Sequence, residues 1–305
     1  MRALVRRPPL LVLGLLLLVA ACSASIHPPP TRSKGVIRVA SFGFTESEIL
    51  AELYSQALEA KGYPTGPVVQ GGPRELVQPA LAEGLVDLVP EYAGSALSFL
   101  TLGAVGGSAN VTDTHDALRL VVAPLNIVAL KPARAQDSNA IVVTQTTADR
   151  FGLRDISDLT SVGTRLVFGG PPECAQRRLC LAGLDSVYGI EFREFIPLDT
   201  GGPLTLQALR SGSIDVALLF TTDPAIASEG LVVLTDDRGL QPSEHVTPLL
   251  RRQVLSTYGD GVIQTLDAVS SLLTTSNLRA MIGRVAGGKP ALEVAASWLH
   301  DRGLA

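Results

Sequence analysis

Residues 71–95 read GGPRELVQPALAEGLVDLVPEYAGS, and residues 201–223 read GGPLTLQALRSGSIDVALLFTTD. Both stretches contain, in the same order, a Gly-rich turn, apolar residues at helical spacing, a second Gly, a short apolar run and a polar tip. Gly84 and Gly212 suit the left-handed conformation that ends a helix, and each apolar run is typical of a strand covered on both faces. The chain therefore repeats one supersecondary unit, unless two ordinary βαβ units merely share turn chemistry.

Polar and aromatic side chains follow the predicted strand of each unit. Glu91, Tyr92 and Ser95 come after the first strand, and residues 221–223 come after the second. In open α/β folds the carboxyl ends of the strands face the crevice that binds ligands. Two similar α/β halves with such tips predict a two-lobed binding protein with a shared cleft.

Length and composition set the protein class. A chain of 305 residues with 46% hydrophobic content can bury a sizeable core and is long enough for about two domains. A net charge of -4 argues against a nucleic-acid-binding protein, since neutralising phosphates needs clustered Lys and Arg. Only 5% of the residues are aromatic, so each Tyr or Phe near a predicted site is informative.

The amino terminus has the pattern of an exported lipoprotein. Residues 1–21 combine a basic start, an apolar run and small residues at the end, which is typical of a secretory signal peptide. Residues 19–22 read VAAC and resemble the bacterial lipobox, which predicts lipidation of Cys22. Residues 22–35 are polar and Pro-rich, as in a tether. We therefore predict an extracytoplasmic protein anchored to the cell membrane.

The other two cysteines, Cys174 and Cys180, lie six residues apart in a Pro-containing loop. In an oxidising compartment they can form a local disulfide. A metal site is the alternative, but the four histidines are scattered and no third ligand is spaced nearby. We therefore predict a disulfide and no metal, with no free thiol in the mature protein apart from the lipid-modified Cys22.

The order of predicted elements indicates an α/β fold with one lobe inserted into the other. Residues 36–133 and 224–305 are predicted to form lobe 1, which includes a strand at 231–235. Residues 134–223 are predicted to form lobe 2. The chain then passes between the lobes twice, and two crossings make a hinge.

Four segments carry a family resemblance. Residues 39–46 (VASFGFTE), 52–58 (ELYSQAL), 78–97 (QPALAEGLVDLVPEYAGSAL) and 220–224 (FTTDP) resemble the ProX-type substrate-binding proteins of ABC importers for glycine betaine, choline and related osmoprotectants. The resemblance implies a type II periplasmic-binding-protein fold with two crossover segments. It also implies no cofactor, and an ABC permease and an ATPase as partners.

In the family that this chain resembles, a cage of tyrosines surrounds the quaternary ammonium group, which has no N–H to donate and is recognised by ring faces. Tyr92 matches a cage position, whereas Asn139 and Phe220 stand where the family has Tyr, and Phe42 replaces a typical Lys. We therefore expect glycine betaine to bind more weakly than in relatives with a full cage. The candidate ligand-binding residues are Phe42, Phe44, Tyr92, Ser95, Asn139, Phe220, Thr221 and Asp223. Two of these residues have a simpler alternative role: Phe44 could be a core residue and Asp223 a turn residue.

Three functional classes follow from these patterns. The leading hypothesis is a monomeric solute-binding lipoprotein that closes over a small solute of the glycine betaine, choline or carnitine type, or over a less charged or aromatic solute. The second hypothesis is that the protein is an enzyme, but the sequence has no G-x-S-x-G, H-E-x-x-H or Walker motif. A lipoprotein that only contacts other proteins is the third.

Overall fold

The computed structural model describes residues 35–305. The predicted signal peptide, the lipidated Cys22 and all but the last residue of the predicted tether lie outside the described residues. Within the described range, no helix is both long enough and apolar enough to cross a membrane.

The helices and strands alternate along most of the chain. The first part of the chain contains β1 (Ala40–Ser41), α1 (Thr45–Ala60), β2 (Val69–Gln70), α2 (Arg74–Glu83), β3 (Leu88–Tyr92), α3 (Ala93–Leu100), α4 (Val111–Val122) and β4 (Ile127–Ala129). The middle of the chain contains β5 (Asn139–Val143), α5 (Gln145–Phe151), β6 (Val167–Gly170), α6 (Leu181–Gly183), β7 (Glu194–Pro197), α7 (Pro203–Ser211), β8 (Val216–Phe220), α8 (Pro224–Ser228) and β9 (Val232–Val233). The last part contains β10 (Val246–Arg251), α9 (Arg252–Tyr258), α10 (Gly261–Leu272), α11 (Thr275–Ala286) and α12 (Ala291–His300).

Within residues 35–305 the strands form three sheets. The parallel pair β1–β2 lies beside the antiparallel sheet β3-β10-β4, and the third sheet has the order β7-β6-β8-β5-β9. We call the part built around β3, β10 and β4 the first half, and the part built around the five-stranded sheet the second half. Residues 130–138 and 234–245 are the two connecting segments between them.

Each half has its own hydrophobic core. In the first half, α1 packs against α10 and α12, and its apolar side chains recur every three or four residues, so that Ile49, Leu53 and Tyr54 are fully buried. In the second half, alternation along β5 places Ala140 and Val142 in one cluster and Ile141 and Val143 in another. The five-stranded sheet is therefore covered on both faces.

The repeat predicted from the two Gly-rich units is confirmed. Helices α2 and α7 end at Gly84 and Gly212, whose φ angles are 78° and 73°. The Asp that follows each Gly by three residues also has the same role. The Asp87 carboxylate accepts the backbone N–H of Arg38, and the Asp215 carboxylate accepts the backbone N–H of Val167. Each Asp thus fixes its strand to the preceding strand segment.

We expected the chain to cross between the halves for the second time at residue 224. The structure places this second crossing later in the chain. The strand predicted at 231–235 does form, as β9, but Val232 and Val233 pair with β5 in the second half. The chain reaches the first half only near Ser243, whose carbonyl accepts the N–H of Gly94, and it then enters β10, which pairs with β3 and β4. Because a strand of two residues has no distinctive apolar period, the sequence does not indicate which sheet it joins.

Candidate functional site

A cavity of about 800 Å³ opens between the two halves. Five aromatic residues contribute to its wall, together with the polar residues Ser95 and Asn139 and the acidic residue Asp137. The five rings belong to Phe42, Phe44, Tyr92, Phe99 and Phe220. For a chain in which 5% of the residues are aromatic, this is a marked concentration of ring surface.

Phe44 lies at the centre of the aromatic group. Its ring centroid is 5.0 Å from that of Phe220 and 6.2 Å from those of both Tyr92 and Phe42, and all three pairs are stacked. The repeat explains this convergence, because Tyr92 is the last residue of β3 and Phe220 is the last residue of β8. Phe44 immediately precedes α1 in an extended conformation. Rings from both halves therefore meet at one point.

Six of the eight predicted site residues line the cavity, namely Phe42, Phe44, Tyr92, Ser95, Asn139 and Phe220. Thr221 and Asp223 are not in its wall. The Thr221 hydroxyl donates to Asp137 Oδ1 at 2.9 Å, and Asp223 caps α8 by accepting the N–H of Ala225 at 2.8 Å. These two residues therefore hold the backbone around the site, as the turn interpretation of Asp223 predicts.

A buried ion pair that was not predicted from the sequence supports the cavity wall. Arg74 lines the cavity, and its guanidinium donates two hydrogen bonds to Glu91, at 2.8 and 3.0 Å. The Glu91 side chain has no solvent exposure. The Arg74 guanidinium carbon also lies 5.0 Å from the centroid of the Phe42 ring. The sequence did contain a sign of this pair. Arg74 stands in the first turn of α2, where a cation opposes the helix dipole and is therefore unusual.

A second buried network joins the two halves beside the rings. Glu46 accepts a hydrogen bond from the Tyr92 hydroxyl at 2.6 Å and another from the Thr222 hydroxyl. The Thr222 N–H donates to Asp137, which is 4% exposed. Burial and then the Asp137 carboxyl raise the pKa of Glu46 well above its ordinary value. Burial raises the pKa of Asp137 to about 7, although the hydrogen bonds from Thr221 and Thr222 favour its charged form.

A third buried carboxyl lies in the second connecting segment. Glu244 accepts the backbone N–H of Ser95 at 3.0 Å and its hydroxyl at 2.7 Å. Burial raises the pKa of Glu244 to about 7. Ser95, which was expected to contact a ligand, is thereby oriented by a carboxyl that no sequence motif marks.

We expect the free energy of unfolding to fall as the pH rises from about 5 to about 8. Between the ordinary pKa of a Glu and the value of about 7 for Glu244, the folded protein binds more protons than the unfolded chain. Stability then decreases with rising pH, because ionisation of the buried carboxyl is easier in the unfolded chain. Urea unfolding followed at pH 5, 6.5 and 8 measures the slope.

The matched variants for this measurement are Glu244→Gln and Asp113→Asn. The first removes one of the buried carboxyls with a raised pKa and should make the slope over this window less steep, whereas Asp113 is exposed on α4 and its replacement should leave the slope unchanged. An unaltered slope in Glu244→Gln would contradict the assignment.

The disulfide predicted between Cys174 and Cys180 is confirmed. It closes a loop that reaches across the cavity. Arg177 of this loop donates to Glu75 on α2 at 2.8 and 3.2 Å, and lies 3.3 Å from Glu173. Within residues 35–305, no group of His, Cys, Asp and Glu side chains is arranged to hold a metal ion.

Comparisons with known proteins agree with this geometry. Residues 35–301 match the family model described as the substrate-binding domain of an ABC-type glycine betaine transport system. The glycine betaine-binding protein YehZ of Escherichia coli (strain K12) is 28% identical over 97% of this chain and 99% of its own length. The carnitine transport binding protein OpuCC of Listeria monocytogenes is 24% identical over 82% of this chain and 80% of its own length.

The fold has solved counterparts. The crystal structure described as a glycine betaine/carnitine/choline ABC transporter superposes with a TM-score of 0.67 at 22% identity, covering 88% of this chain and 99% of that one. The predicted type II periplasmic-binding-protein fold is thus confirmed. With a family model that spans residues 35–301, the chain belongs to the substrate-binding domains of ABC-type glycine betaine transport systems.

Proposed function

We propose that this protein binds a small quaternary ammonium solute of the glycine betaine, choline or carnitine type in the cavity between its halves, and delivers it to an ABC permease that works with an ATPase. The five rings of the cavity wall carry this proposal. A methylated ammonium cannot donate hydrogen bonds and is attracted to ring faces, each contributing roughly 0.5–2 kcal/mol. The names of the relatives support the same solute class.

The two halves act as lobes in this proposal, and the connecting segments act as the hinge. A solute shifts an open–closed equilibrium only by its differential affinity for the two states, so the site has to be divided between the moving parts. Phe44 and Tyr92 come from the first half and Phe220 from the second. We also propose that Cys22 carries a lipid anchor that keeps the monomeric protein on the extracytoplasmic side of the membrane.

Titration calorimetry of the full-length protein with glycine betaine, choline, carnitine and the inert sugar sucrose tests the function. We expect saturable binding of at least one quaternary ammonium solute and none of sucrose. Small-angle scattering on the same samples should show compaction with the bound solute. If the folded protein binds none of the three solutes at millimolar concentration, the proposed function is wrong.

A further inference from the structure

We propose that Asp137 determines the solute specificity of the cavity, favouring a quaternary ammonium ion without a carboxylate over the zwitterion glycine betaine. This inference rests on the proposed function and narrows its solute class. Asp137 lies in the first connecting segment, two residues before β5, and contributes to the cavity wall together with Tyr92 and Phe220. A residue with a carboxyl side chain therefore lines the same space as the rings.

The Asp137 carboxyl is held in place by the second half. Its Oδ1 accepts both the Thr221 hydroxyl and the Thr222 N–H, each at 2.9 Å. The backbone N–H of Asp137 donates to the carbonyl of Glu244 in the other connecting segment. Both of these hydrogen bonds fall on Oδ1, and we assign the contact with a solute to Oδ2.

The other charged side chains of the cavity wall are either paired or at the surface. Arg74 is paired with Glu91, and Arg177 is paired with Glu75 and Glu173. Arg178 is exposed. Among the residues that the structure describes, Asp137 forms no ion pair, so the buried part of the cavity carries an uncompensated acidic group beside its rings.

The charged and titratable groups around Asp137 are mainly acidic. Thr222 links it to Glu46 on α1, which also accepts the Tyr92 hydroxyl, and Asp223 at the start of α8 adds a like charge. Arg279 of α11, a cation close to this region, donates to the Thr221 carbonyl, and no hydrogen bond between Arg279 and Asp137 is found among the described residues. In the second connecting segment, the titratable groups near Asp137 are the Glu244 carboxyl and the His245 imidazole. The His245 imidazole bonds to the Ala133 carbonyl.

Glycine betaine cannot separate its two charges far enough to suit this arrangement. One methylene joins its nitrogen to its carboxylate carbon, so a nitrogen held by the rings keeps the carboxylate in the same acidic region. The Asp137 carboxyl, where it is ionised, repels that carboxylate and disfavours binding of the zwitterion. Choline replaces that carboxylate with a hydroxymethyl group, which can donate a hydrogen bond to a carboxylate acceptor.

Titration calorimetry with choline and glycine betaine, on the full-length protein and on Asp137→Asn, tests the inference. We expect the unaltered protein to bind choline at least tenfold more tightly than glycine betaine. Asn has the same shape and still accepts from Thr221 and Thr222, so the variant should lose about tenfold for choline and gain for glycine betaine. Asp113→Asn is the matched control, because Asp113 is exposed on α4 and is not part of the cavity wall, and it should preserve the preference.

A second measurement on the unaltered protein does not depend on any variant. A cation next to Asp137 favours its charged form, so choline binding near pH 7 should release protons, visible as a binding enthalpy that varies with the ionisation enthalpy of the buffer. Tighter binding of glycine betaine than choline, proton uptake with choline, or an unchanged preference in Asp137→Asn would each overturn the inference. The proposed function fails separately, through the absence of binding of any quaternary ammonium solute.

Discussion

Replacing Glu91 by Gln is expected to lower the free energy of unfolding by about 3–5 kcal/mol, because Arg74 would remain buried without a counter-charge. Glu91 accepts hydrogen bonds from Arg74 Nε and Nη2, from Gln78 Nε2 and from the Tyr92 N–H. An amide offers one accepting oxygen and adds two N–H donors. At least one donor would then face another donor. Urea unfolding followed by circular dichroism measures the loss.

Two further variants separate the effect of losing the ion pair from the effect of replacing a Glu by Gln elsewhere in the protein. The double replacement Arg74→Met with Glu91→Leu removes both charges, and a well-packed apolar pair is tolerated at such sites, so it should lose less than Glu91→Gln alone. Glu83→Gln, on the exposed side of α2, should change the free energy of unfolding by less than about 0.5 kcal/mol. A loss below about 1 kcal/mol in Glu91→Gln would contradict the role of Glu91 as the required counter-charge.

Replacing Phe44 by Ala is expected to weaken binding of choline by about 2 kcal/mol, or roughly thirtyfold. The Phe44 ring is stacked with rings from both halves, so its removal deletes one ring face and leaves Phe220 and Tyr92 without their common neighbour. Titration calorimetry gives the affinity directly.

Phe44→Leu and a neutral analogue show whether the ring acts through its π face. Leu keeps most of the apolar volume, and 3,3-dimethylbutan-1-ol has the shape of choline without the charge. We expect Phe44→Leu to weaken choline binding and to leave the alcohol nearly unaffected, since only a cation is attracted to the ring quadrupole. Equal losses for both compounds would show that Phe44 contributes apolar contact alone.

The repeated unit and the aromatic part of the site could be predicted from the sequence. The glycines at 84 and 212 mark helix ends by a conformation that other residues adopt at a cost, and strand ends fix where Tyr92 and Phe220 lie. The resemblance added Phe42 and Asn139. Local spacing was sufficient here because each of these residues stands at the end of a regular element.

The charged part of the site could not be predicted in the same way. Glu46, Asp137 and Glu244 come together from α1 and the two connecting segments, and only the folded chain shows that they are buried. Thr221 and Asp223 have polar side chains after a strand, which is equally typical of a ligand contact and of a helix cap. Side-chain direction decides between the two, and sequence spacing does not.

The contact between Arg177 and Glu75 has a consequence for the rate of solute exchange. It joins the disulfide loop to α2 across the cavity, and both side chains are partly exposed, at 27% and 42%. An ion pair in contact with water weakens as salt is added. Parting the halves at this point is therefore easier in a concentrated salt solution, and both entry and departure of a solute become faster there. A receptor for osmoprotectants would then exchange its cargo most rapidly under hyperosmotic ionic conditions.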